Sequence, residues 1–113
     1  MSEGNPFRGY WLSEATRCRA ESARNAFNID YEQWSVLGRE KAIVETFLRV
    51  GKKMDKELLE STIRLLSKYA GEEWAVAKKS DSVTNTLFWE GYSQALLDIQ
   101  SRLDSTQTDI PKV

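Results

Sequence analysis

The residues best suited to chemistry are carboxylates, which come in pairs: Glu72 with Glu73, Glu40 with Glu45, and Glu57 with Glu60. Two carboxylates converging in a buried cleft can hydrolyse a glycosidic bond, and carboxylates on facing helices can hold two metal ions. The helical di-metal pattern also needs Glu-x-x-His, and the chain contains no histidine. That absence equally removes His-based triads, histidine proton shuttles and most zinc sites. The single thiol, Cys18, recurs with Ala15, Ser22 and Ala26 at helical spacing. It therefore reads as a small packed hydrophobe, and Arg17 and Arg19 would lower its pKa only if it were exposed. No Gly-x-Gly-x-x-Gly, phosphate loop or nucleophile elbow is present. The paired carboxylates are read as solvated helix faces beside Lys and Arg. The chain is expected not to be an enzyme, with no catalytic residue, no cofactor and no metal.

Two other groups of residues point to contact instead of chemistry. Phe7, Arg8, Tyr10 and Trp11 form a cluster near the start, and Trp34 opens a later helix. Trp, Tyr and Arg are enriched at protein interfaces, so these five are the candidate interface residues. The same aromatics could instead staple the chain ends to the core. The second group is basic: Arg17, Arg19 and Arg24, with Lys52 and Lys53 further on. Arginine suits phosphate oxygens, so these are the candidate nucleic-acid contacts. Glu14 and Glu21 stand within one turn of Arg17 and compete for it.

The elements that must carry these residues are helices. The chain has 113 residues, 41% hydrophobic and 29% charged, enough for one core and one domain. Sixteen Lys and Arg against 17 Asp and Glu leave a net charge of −1, which argues against a globally basic nucleic-acid binder. One cysteine cannot close an intrachain disulfide, so cysteine usage either points to a reducing compartment or is silent. No apolar run reaches the roughly 18 residues of a membrane span, and Met1–Gly9 lacks the apolar core of a signal peptide. The expected location is cytoplasmic, with no membrane partner. Proline occurs only at Pro6 and Pro111. The reading is an all-α bundle of about four helices spanning 10–103, with flexible arms at 1–9 and 104–113. Helices are expected from Tyr10 to Ala26, from an Asp30 cap to Gly51, from an Asp55 cap to Lys79, and from Asp81 or Ser82 to Leu103.

The last two helices, within 56–103, read as an antiparallel hairpin because their connector is short. Folding the chain about residue 81 sets Leu59 against Leu103, Ile63 against Ile99, Leu66 against Leu96, Ala70 against Tyr92 and Trp74 against Phe88. Gly71 then lies opposite Gly91, which suggests either close backbones at that level or room made for the neighbouring Trp74, Trp89 and Tyr92.

The stretch 65–103, LLSKYAGEEWAVAKKSDSVTNTLFWEGYSQALLDIQSRL, resembles short helical-hairpin proteins of tailed bacteriophages. The resemblance rests on Trp74 late in one helix, a polar turn, and Trp89 early in a leucine-rich second helix. It implies a virion-associated or assembly-related protein that acts by contact, located in the host cytoplasm or the virion. The function expected is a non-enzymatic protein–protein interaction module, self-associating or part of a larger assembly. Two alternatives are a small nucleic-acid-binding regulator using the basic first helix and an inhibitor of a host protein.

Overall fold

The computed structural model of the chain describes residues 6–24, 31–52 and 55–109. These form four helices, α1 Pro6–Arg24, α2 Tyr31–Val50, α3 Lys56–Lys79 and α4 Val83–Asp109, with no strand among the described residues. The fold is an all-α bundle. Its long dimension is 50 Å and its radius of gyration 15.1 Å, larger than the roughly 13 Å of a round 100-residue domain. The cause is helix length, since the 27 residues of α4 span about 40 Å.

The helix ends are written in local chemistry. Asp55 caps α3, its side chain accepting from the backbone N–H groups of Glu57 (2.9 Å) and Leu58 (3.3 Å). Gly51 ends α2 in the left-handed region at φ +78°, its N–H donating to the Phe47 carbonyl at 3.0 Å. The α3–α4 turn satisfies both helices with three residues. Asp81 takes φ +57°, its N–H donates to Lys78, and the Ser82 N–H donates to Ala77, the paired bonds of a Schellman stop. Ser82 then caps α4 by accepting from the Asn85 N–H at 3.3 Å. The Asp30 cap and the Ala26 terminus lie outside the described residues.

Two expected boundaries move outward. The arm assigned to 1–9 is helical from Pro6 onward. Proline suits a first helical turn, where its missing N–H would have no partner in any case. Packing of Phe7 on the core rewards the extra turn in spite of Gly9. The tail assigned to 104–113 is helical to Asp109. It holds no glycine, its first proline is Pro111, and Gln100 donates one turn ahead to Asp104 at 3.0 Å.

One core joins all four helices. Trp11 and Ala15 enter from α1, and Ala42, Ile43, Phe47 and Val50 from α2. Leu59, Ile63, Leu66 and Ala70 of α3 meet Tyr92, Ala95, Leu96, Ile99 and Leu103 of α4. The apolar residues expected at the hairpin seam, from 59 to 70 and from 92 to 103, all lie in this core. The seam differs at the turn end, where Trp74 lies half-buried at the rim and donates its indole N–H to Glu90 at 3.1 Å. The close backbone approach also differs. A side chain added at Gly71 would meet nothing within 4 Å, whereas one at Gly91 would strike the Ser35 carbonyl of α2. The partner glycine is Gly38, set against the Phe88 carbonyl of α4. The most extensive helix pair is accordingly α2 with α4, with α1 on α2 and α3 on α4 beside it.

Candidate interaction surface

Two of the N-terminal aromatics, Phe7 and Trp11, face inward. Trp11 is 1% exposed within the single chain. Phe7 meets it edge-on (centroids 6.4 Å apart) and meets Phe47 of α2 in the same manner (6.3 Å). The Arg8 guanidinium stands 5.9 Å from the Phe47 ring centre. Tyr10 is partly exposed, yet its ring is covered on one side by Arg102 of α4 at 4.3 Å. Trp34 is half-buried. The expected interface cluster is thus corrected at Phe7 and Trp11. Their rings are spent on joining α1 to α2, because a continuous helix from Pro6 sets Phe7 against Phe47 and Trp11 against Phe7 in the common core.

The basic residues of α1 are largely matched by carboxylates. Arg17 binds Glu14 through two nitrogens, at 2.7 and 3.2 Å, and reaches Glu21 at 3.1 Å. Arg19 crosses to Glu40 of α2 at 2.9 Å. Glu14 also accepts from Arg39 of α2 at 3.0 Å, and Arg39 continues to Asp98 of α4 at 2.7 Å. One chain of ion pairs therefore links three helices beside Trp11, whose ring lies 5.8 Å from the Arg39 guanidinium. The hydrogen bond from Arg17, aided by Arg39, holds the Glu14 carboxyl down to about 2, against an ordinary 4.5. Since α1 and α2 run antiparallel, Arg24 and Lys52 fall at opposite ends of this layer, and they form no common basic patch. Lys53 lies outside the described residues.

Among the described residues no three Cys, Asp or Glu side chains converge as metal ligands. Cys18 is buried, and desolvation raises its thiol pKa, with Glu14 adding to the effect. Tyr92 donates its hydroxyl to the Glu45 carboxylate from a fully buried ring, and desolvation followed by that hydrogen bond pushes its pKa far above 10. Both shifts favour the protonated form. The surface of the described residues includes two open grooves. One, of about 310 Å³, lies at the hairpin turn beside Lys78, Ser82 and Thr86. The other, about 450 Å³, runs between α3 and α4 past Gly71, Trp74 and Leu97, and its indole N–H is already engaged by Glu90.

The distinctive surface lies on α3. Leu58, Leu65, Tyr69 and Val76 are 42, 57, 46 and 58% exposed. At 100° per residue, steps of seven, four and seven bring all four within about 20° of one line along the helix. This stripe lies roughly a quarter turn from the face carrying Leu59, Ile63, Leu66 and Ala70. Sequence inspection for a core misses it, because the inward set already satisfies the helical period. The signal was present in the spacing of the apolar residues left over. Leu97 and Val83 of α4 and Leu48 of α2 add further exposed apolar side chains. Among the described residues no helix is long and apolar enough to cross a membrane. No known family's sequence pattern, no curated protein and no solved structure matches this chain.

Proposed function

We propose that this protein is a non-enzymatic interaction module that works by contact through its α3–α4 hairpin. The observation that carries the reading is the line of four partly exposed apolar side chains on α3. Apolar side chains aligned along one helix face have a desolvation drive toward association that singly scattered ones lack. The buried, protonated states of Cys18 and Tyr92 support the absence of nucleophilic chemistry. In its finer form the reading is a phage-type structural or assembly component, supported by the resemblance of 65–103 to phage hairpin proteins. The reduced thiol of Cys18 suits a cytoplasmic setting, in a host cell or within a virion.

Affinity purification with the full chain as bait tests the reading. Wild type should retain a defined partner, itself or another protein, that is lost from a Leu65→Glu or a Leu97→Glu bait. A chain that neither self-associates nor retains any partner lost from those baits would sink it.

A further inference from the structure

We propose that α1 is a strap: it releases as a unit from a bundle of α2, α3 and α4 that stays folded, and its release uncovers Cys18 and the Phe47 ring of α2. The inference goes beyond the hairpin surface, which lies on other helices and does not depend on it. The division of the core supports it. α1 packs chiefly on α2, while α2, α3 and α4 all pack on one another. To the core cluster α1 supplies Trp11 and Ala15, with Phe7 set against them, whereas the other three helices share Ile43, Leu59, Ile63, Leu66, Leu96 and Ile99. The backbone contact of Gly38 with α4 is likewise made without α1. An element joined to a core by few apolar contacts opens at lower free energy than the elements that build the core.

Docking of α1 also carries costs that release gives back. The Trp11 indole nitrogen and the Ser22 hydroxyl are buried with no hydrogen-bond partner among the described residues. Water would bond both. Among the described residues two ion pairs tie α1 to α2, Glu14 with Arg39 at 3.0 Å and Arg19 with Glu40 at 2.9 Å. The Arg19 side chain is 72% exposed, so its pair adds little. When the strap leaves, Glu14 keeps its partner Arg17 within α1, and Arg39 keeps Asp98 of α4. Release therefore strands neither charge, and the bond that is broken is partly replaced on each side.

Cys18 is 1% exposed, so an uncharged thiol reagent reaches it only through opening. In the full chain without denaturant, Cys18 should be labelled at least ~10-fold faster than global unfolding, measured by urea titration, allows. Phe7→Ala loosens the strap three turns away and should speed that labelling a further ~10-fold or more. Ile63→Val weakens α3, which stays packed in the open form. It should favour global unfolding by roughly 2- to 10-fold and leave Cys18 labelling unchanged. Labelling that rises with Ile63→Val in step with global unfolding means that α1 opens only with the whole bundle, which overturns the proposal. Labelling indifferent to Phe7→Ala means fraying around Cys18 alone, and overturns it too. Hydrogen exchange on the wild-type chain decides the matter without any variant. The amides of 11–23 should exchange ahead of those of 60–70 and 92–103, and equal protection of the three segments overturns the strap.

Discussion

Gly38 of α2 and Gly91 of α4 form a reciprocal pair: each lies against a main-chain carbonyl of the other helix, Phe88 for Gly38 and Ser35 for Gly91. A side chain at either position would occupy the space held by backbone, which cannot move aside as a flexible side chain can. This contact sets how closely the two most extensively packed helices approach, and Tyr92 and Ala95 are fully buried beside it.

Alanine substitutions at the glycines should therefore change stability in opposite directions. Glycine inside a helix is roughly 1 kcal/mol worse than alanine, so Gly71→Ala, which meets nothing, should raise stability by up to about 1 kcal/mol. Gly38→Ala and Gly91→Ala gain the same propensity but force the helices apart, and each should lose about 1–3 kcal/mol net. Urea denaturation of the three variants checks the signs.

Acid stability should report Glu14. Its folded-state carboxyl is held near 2, against 4.5 when unfolded, chiefly by the hydrogen bond from Arg17. A depressed carboxyl contributes stability that is fully present above about 4.5 and is lost as pH falls toward 2. Its contribution at neutral pH is about 1–3 kcal/mol after allowance for screening at the exposed Arg17. The stability gap between wild type and Glu14→Gln, from denaturant midpoints, should be widest near pH 7 and narrow steadily below pH 4.5. A gap independent of pH would place the effect elsewhere.

At the alkaline end Tyr92 should dominate. Its phenol ionises far less readily folded than unfolded because of desolvation, with the Glu45 hydrogen bond next. A raised folded pKa leaves stability intact below the unfolded value near 10 and erodes it as pH rises above that value. Ultraviolet titration should show one tyrosine of four ionising only with loss of helical signal. Tyr92→Phe should remove that coupling and cost about 1.5–3 kcal/mol at neutral pH, the worth of a hydrogen bond to a charged acceptor.

The hairpin seam should be sensitive to truncation. Leu66 and Ile99 are nearly or fully buried in the common core, so Leu66→Ala or Ile99→Ala should cost roughly 2–5 kcal/mol. That is a large part of the roughly 5–15 kcal/mol of a small domain. Chemical denaturation checks it, and a loss below about 0.5 kcal/mol would be the signature of a surface site.

What the sequence by itself determined is the part governed by neighbours along the chain. The Asp55 and Ser82 caps, the left-handed Gly51 and the apolar period of 59–70 and 92–103 act within one or two turns, so they are legible before any fold exists. Interactions between distant segments were decided only in the tertiary structure. Phe7 and Trp11 carry the composition of an interface anchor, and only the arrival of α2, with Phe47 against Phe7, turns them inward. Gly38 and Gly91 look like any glycines in a helix until α2 and α4 cross there. The exposure of Leu58, Leu65, Tyr69 and Val76 was decided the same way. An apolar side chain is buried or left in water according to which helix arrives beside it, and the helix period alone does not say which face goes uncovered.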